Sequence, residues 1–139
     1  MREYPYTIDD GAGEWLTFSR RVPGPEGERV EGEALVAPGA GPPMHVHYLQ
    51  DEAFTFLQGR IGYPIAGQEP AFAGAGEAEL RCTAYIAPAG NAEYFLAALF
   101  ASQKANGGRR PTLLDLAFLT RRYRSEYGMV DIPGIVQRL

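Results

Sequence analysis

The chain has little of the residues that mark several protein classes. Its 139 residues include one cysteine, Cys82, so an internal disulfide is excluded and a reducing compartment is expected. The longest apolar run, Tyr94 to Ala101, is too short to cross a bilayer. The first residues lack the apolar stretch of a secretory signal. We therefore expect a cytoplasmic protein without a transmembrane segment.

An excess of positive charge is also missing. The sequence has 13 basic and 17 acidic residues, a net charge of −4, which argues against a nucleic-acid or anionic-membrane partner. Its length and its 45% content of hydrophobic residues fit one folded domain with a core. Neither a phosphate-binding loop nor a Cys-x-x-Cys pair is present.

The chain's only two histidines, His45 and His47, stand one residue apart. Alternate residues of a β-strand point to the same face, so both imidazoles should project the same way. Glu52 follows closely, and two imidazoles with one carboxylate suit a divalent metal, non-haem Fe(II) in particular. The alternative stays open at this point: two strand histidines facing solvent, with Glu52 an ordinary surface acid.

The segment that contains these residues resembles the first motif of the cupin superfamily. Every fixed position of Gly-x5-His-x-His-x4-Glu-x6-Gly is present, from Gly39 through His45, His47 and Glu52 to Gly59. The resemblance implies a mainly β protein, with a cupin-type double-stranded β-helix (a jelly-roll barrel, possibly incomplete) over residues 1–90. It also implies that His45, His47 and Glu52 bind one divalent metal ion inside the barrel, with Fe, Mn, Ni or Zn as the options.

The second cupin motif, Gly-x5-Pro-x-Gly-x2-His-x3-Asn, is degraded. Only its Pro-x-Gly survives, as Pro88 and Gly90, and Glu93 stands where the family has a histidine. One interpretation makes Glu93 a fourth metal ligand. The other, which we prefer, places Glu93 in the first turn of a helix, where an acid stabilises the helix dipole. The strands that carry the third histidine are then absent, which would leave sheet edges to be covered.

Residue alternation predicts the individual strands. Residues 1–13 are expected to be an irregular leader, followed by four main strands and a short one: Glu14–Val22, Arg29–Ala37, Ala53–Gln58, Glu79–Ala87 and the short Ile61–Ala66. Phe54 and Phe56 share the face of Glu52, so we expect them to line the pocket. Cys82 falls on the apolar side of its strand and is expected to be a small core residue.

The chain becomes helical in character after Pro88. Asn91 should cap a helix that Gly107 and Gly108 end, and Pro111 should open a second helix that Gly128 ends. The short link between them predicts an antiparallel pair. We expect residues 91–139 to form a helical extension packed on the outside of the barrel or on another subunit. A homodimer is the expected assembly.

Three functions follow from these patterns. The resemblance implies a metal-dependent, oxygenase-type enzyme acting on a small organic molecule. A non-catalytic protein that binds a small ligand, with a degenerate metal site, is the alternative that the damaged second motif favours. A self-associating scaffold is the third. The sequence does not name the substrate, the metal or the reaction.

Overall fold

The computed structural model describes residues 2–43, 45–62 and 74–129. Within these ranges the chain is mainly β with two helices near its C-terminal end, which confirms the predicted class at this level. The elements, in chain order, are β1 (Tyr6–Asp9), β2 (Glu14–Gly24), β3 (Gly27–Val36), β4 (His45–His47), β5 (Asp51–Gln58), β6 (Ile61–Gly62), β7 (Gly74–Ala75), β8 (Leu80–Ala87), α1 (Ala92–Ala105), α2 (Leu113–Arg122) and β9 (Tyr127–Met129).

The main sheet has five strands in the order β1-β2-β3-β8-β5, and every neighbouring pair is antiparallel. Two smaller sheets pair β4 with β9 and β6 with β7. The described ranges do not close into a barrel, so the predicted jelly roll is not established by them. The predicted strand Ile61–Ala66 is present as β6, and its residues from 63 onward lie outside the described ranges.

Strand alternation gives the main sheet one inner face. Leu16 lies opposite Ala34, which lies opposite Cys82, and all three point to this face. The pairing of β5 with β8 places Glu52 on the same face. The prediction that Cys82 is a buried residue on the apolar side is confirmed. Residues 1–13 are not an irregular leader, because β1 pairs with β2 and adds Ile8 to the core.

Helix α1 packs across this inner face. Phe95, Leu99 and Phe100 are fully buried in one core with apolar side chains of the sheet, among them Phe18 and Ile86. Each such side chain contributes roughly 1.5–3 kcal/mol by leaving water. We expected the helices to pack on the outside of a barrel or on a partner. Helix α1 instead covers the face that carries Glu52, because this is where the sheet presents its apolar residues.

The two helices run antiparallel, as predicted. Ser102, near the end of α1, bonds Asp115 at the start of α2, and Phe95 meets the ring of Tyr123 just beyond the end of α2. The predicted apolar face of α2 is only partly buried, however. Leu116 is buried, whereas Leu114 is 84% exposed.

Helix α2 ends at Arg122, not at Gly128 as predicted. The chain then turns and forms β9, in which Gly128 lies opposite Val46 of the histidine strand. The Glu126 carboxylate accepts hydrogen bonds from the side chain of Gln50 and from the backbone and side chain of Asn91. These contacts stabilise β9 in place of a further helical turn. They also tie the histidine strand to the start of α1.

Candidate functional site

Strand β4 directs both histidines toward the protein interior. Their ring centroids are 5.0 Å apart, which confirms that they share a face. The His45 ring packs against Phe95, and the His47 ring meets Tyr127 edge-on. Val46, between them, is exposed. The alternative of two solvent-facing histidines is therefore wrong.

His45 is fixed as a neutral imidazole. Its Nδ1 lies 2.7 Å from the carbonyl oxygen of Pro43, so Nδ1–H must donate and Nε2 keeps its lone pair. Burial lowers the pKa of His45. Near neutral pH the ring therefore offers one unprotonated nitrogen to a ligand.

His47 has no hydrogen-bond partner among the described residues. Both of its ring nitrogens are buried and unpaired, and so is the hydroxyl of neighbouring Tyr127. Burial and the nearby His45 lower the pKa of His47 to about 4. A buried polar group without a partner costs roughly 1–3 kcal/mol. The structure thus keeps an unsatisfied imidazole within reach of Glu52.

Glu52 stands beside His47 without forming an ion pair. The Nε2 of His47 is 3.7 Å from Oε2 of Glu52, too long for a hydrogen bond. Burial raises the pKa of Glu52 to about 7, whereas His47 is protonated only below about pH 4. The lowered pKa of His47 and the raised pKa of Glu52 both disfavour the charged forms that a salt bridge requires.

Glu14 belongs to the same site and was not identified from the sequence. It opens β2, is 5% exposed, and its Oε2 is buried without a hydrogen-bond partner. Burial, together with the negative charges of Asp10 and Glu52, raises the pKa of Glu14 to about 8. A signal was available, because Glu14 has the strand parity of Leu16 and Phe18. An acid at an apolar position of a strand indicates a buried polar group, as the two histidines do.

These groups surround a cavity between the main sheet and α1, which we call the inner cavity. Its volume is about 100 Å³. Glu14, His45, Glu52 and Cys82 supply its titratable side chains. Its larger apolar lining residues are Leu16, Val36, Phe54, Ile61, Leu80, Leu96 and Phe100. His47 is not a lining residue, but its Nε2 lies 3.7 Å from Oε2 of Glu52, which is one.

Only one of the two aromatic residues predicted to line the pocket does so. Phe54 lines the inner cavity, whereas Phe56 is 48% exposed and is not among its lining residues. Phe56 stacks on Phe54 with ring centroids 6.1 Å apart. The two residues share a face, as predicted, but Phe56 lies further along β5 and is the more exposed of the two.

The predicted metal ligands are neighbours but are not gathered around one point. Within residues 2–43, 45–62 and 74–129, no three His, Cys, Asp or Glu side chains are placed to hold a metal ion. Within the predicted set, Nε2 of His47 lies 3.7 Å from Oε2 of Glu52.

Glu93 lies in a different cluster, which we call the Glu93 cluster. Its carboxylate accepts hydrogen bonds from the hydroxyls of Tyr4 and Tyr6 and from Arg21 Nε at 2.6 Å. The cluster borders a concave surface of about 350 Å³ that no histidine lines. Glu93 also lies in the first turn of α1, which confirms the helical interpretation.

The comparisons with known proteins add no relative. No family model, no curated protein and no solved structure matches the chain. None of the described helices is both long enough and apolar enough to cross a membrane. The resemblance to the cupins therefore rests on the Gly39–Gly59 motif and stays a prediction.

Proposed function

We propose that this protein binds a small organic molecule in the inner cavity. The observation that carries the proposal is the buried Glu14 carboxyl, one oxygen of which has no hydrogen-bond partner, in an otherwise mostly apolar lining. Apolar pockets with a few convergent polar groups and shifted pKa values are the usual form of a binding site. Buried polar groups without partners are rare, so a cluster of them calls for a ligand that supplies the missing bonds.

The cavity volume limits the ligand. A cavity of 150 Å³ holds benzene, so the inner cavity of about 100 Å³ accommodates about four non-hydrogen atoms. The ligand is therefore either very small or a larger molecule that inserts one end. With so few buried atoms, affinities in the millimolar range are expected for isolated fragments.

We also propose that the fold is a reduced cupin-type jelly roll. The motif positions support this, together with the inward direction of Glu52 on β5. In this proposal α1 covers the face that the missing strands would otherwise cover. A homodimer stays a prediction, and the exposed Leu114 and Phe118 on α2 are the residues to change when it is tested.

A divalent metal ion is the second candidate ligand, held by His45, His47 and Glu52. The unpaired nitrogens of His47 and the free Nε2 of His45 favour it, because neutral imidazoles are metal ligands. Metal binding would require these side chains to come closer together than they lie here. A bound ion would act as a Lewis acid on a small molecule. Any oxygenase-type activity depends on this second candidate.

The cavity proposal is tested by filling the cavity. Ala34→Leu adds bulk to its lining, and Ala53→Leu makes the same change on the opposite face of the sheet. We would titrate 1-propanol and n-propylammonium into each protein and follow ligand signals by NMR. Wild type and Ala53→Leu should bind at least one probe, and Ala34→Leu should bind neither. The proposal is contradicted if Ala34→Leu still binds a probe, or if wild type binds neither probe.

The metal candidate needs its own measurement. We would titrate Mn²⁺ and Zn²⁺ by calorimetry into wild type and into His47→Ala, with Glu93→Gln as a control from the other cluster. One equivalent bound by wild type and Glu93→Gln but lost in His47→Ala supports the metal site. No uptake by wild type rejects it and leaves the organic-ligand proposal unaffected.

A further inference from the structure

We infer that the inner cavity selects a cation, namely the ammonium end of a small alkylamine, and that Glu14 is the residue that recognises it. This inference rests on the proposed function of the cavity. It adds the chemical class of the ligand and a binding residue that the histidine motif does not include.

The first reason is the missing hydrogen-bond donor at Glu14. The side chain is buried, lines the cavity, and has an Oε2 with no partner. Asp10 does not supply a donor, since its own Oδ1 accepts from the backbone N–H groups of Ala12 and Glu14. A carboxyl oxygen in this setting needs an N–H or O–H group from a ligand. An ammonium group supplies three N–H donors and forms charge-assisted hydrogen bonds to carboxylates.

The second reason is the charge of the lining. Glu14 and Glu52 both face the cavity, and no lysine or arginine is among the described residues that line it. His45 also lines the cavity, and burial lowers the pKa of its imidazole, which disfavours the charged ring. When ionised, two carboxyl groups attract a cation placed between them and repel an anion. Because the pKa of Glu14 is raised to about 8, this selection is expected above that pH.

The third reason is the remainder of the lining, which suits an alkyl chain. Leu16, Val36 and Leu80 supply aliphatic surface, and the rings of Phe54 and Phe100 face the same space. Aromatic faces attract ammonium groups, and aliphatic surface gains free energy by covering methylene groups. An alkylammonium ion of three or so carbons matches both the volume and the chemistry.

The experiment compares three probes of similar size and different charge. The full chain is titrated with n-propylammonium, 1-propanol and propionate at constant ionic strength and at about pH 9, and dissociation constants are taken from NMR. This pH lies above the pKa of about 8 of Glu14 and below that of an alkylammonium ion. In wild type we expect n-propylammonium to bind at least about tenfold more tightly than 1-propanol, and propionate not to bind. In Glu14→Gln the preference should fall below about threefold, while 1-propanol binding persists.

Matched variants keep the result interpretable. Glu33→Gln removes the same charge from the outer face of the sheet and should leave the preference unchanged. If Glu14→Gln does not fold, Glu52→Gln is the substitute variant. It should also reduce the preference for n-propylammonium over 1-propanol. Equal binding of 1-propanol and n-propylammonium to wild type overturns the inference but leaves the cavity proposal standing. Binding of Zn²⁺ without any binding of n-propylammonium also overturns it, and binding of no probe rejects both proposals.

Discussion

Glu14 and Glu93 are equally buried, at 5% exposure each, yet their surroundings are opposite. Glu93 accepts hydrogen bonds from two tyrosine hydroxyls and from Arg21, so its charge is neutralised and its acceptors are used. Glu14 has an oxygen with no partner, and its nearest charged neighbours are acids. Burial alone therefore does not distinguish a structural acid from a ligand-binding one. The hydrogen-bond partners do.

The same contrast separates the inner cavity from the concave surface beside the Glu93 cluster. The surface beside the Glu93 cluster is larger, about 350 Å³ against about 100 Å³ for the inner cavity. Size favours the Glu93 side, but its buried carboxylate is already satisfied. The inner cavity is smaller and leaves polar groups unpaired on an apolar wall, which is the stronger indication of a ligand.

The largest expected effect comes from breaking the Glu93 cluster. Arg21→Ala leaves a buried carboxylate without its cation and should lower the free energy of unfolding by about 3 kcal/mol. Urea denaturation measures it. Arg20→Ala is the matched control, since Arg20 pairs with Glu31 at the surface and should cost less than about 1 kcal/mol. Similar losses in the two variants would mean that the cluster does not stabilise the fold.

Substitution of Glu14 should stabilise the protein, whereas Arg21→Ala should destabilise it. Its pKa of about 8 in the folded protein exceeds the ordinary value of 4.5, so the folded state holds the proton more tightly. The contribution of Glu14 to stability therefore falls as pH rises from about 4.5 to about 8. Glu14→Gln should raise the free energy of unfolding by about 1–3 kcal/mol near pH 7 and by much less near pH 4.5.

Urea denaturation at both pH values checks this expectation, with Glu33→Gln as the surface control. An Glu14→Gln variant that is less stable than wild type near pH 7 would show that the carboxyl has a partner after all. The difference in hydrogen bonding between Glu14 and Glu93 would then be wrong.

The smallest expected effect distinguishes the two histidines. His47→Leu removes two unpaired buried nitrogens and should stabilise the protein by about 1 kcal/mol. His45→Leu removes a ring whose Nδ1–H is bonded to Pro43 and should destabilise it by a similar amount. Thermal unfolding near pH 7 gives both values. Equal effects of the same sign would contradict the assigned difference in hydrogen bonding.

Local sequence patterns were sufficient to predict much of the scaffold. Alternation located β2, β3, β5 and β8 and placed Phe54 and Phe56 on the face of Glu52, because the strand period of two is a local property. The end of α1 near Gly107 and the antiparallel helix pair also followed from local signals. Strand β9 did not, because its three residues are held by pairing with β4 and by the contacts of Glu126.

The chemistry of the site was only half predictable. The His-x-His spacing was enough to place both imidazoles on one face, but not to decide whether that face points inward. Two features depend on segments that are far apart in sequence. They are the missing partners of His47 and the position of Glu14 and Glu52 at one cavity. The covering of the inner face by α1 depends on tertiary packing in the same way. No local pattern records which buried polar group is left without a donor.

The most direct test of the central claim is a chemical-shift map of the bound state. Backbone amide signals of the wild-type chain are recorded as n-propylammonium is added to saturation. The account predicts shifts concentrated at the inner cavity, at Glu14, Ala34 and Cys82, with the Tyr4, Arg21 and Glu93 signals unchanged. Shifts confined to the Glu93 cluster, or absent from both regions, would contradict the claim that the unpaired acid marks the binding site.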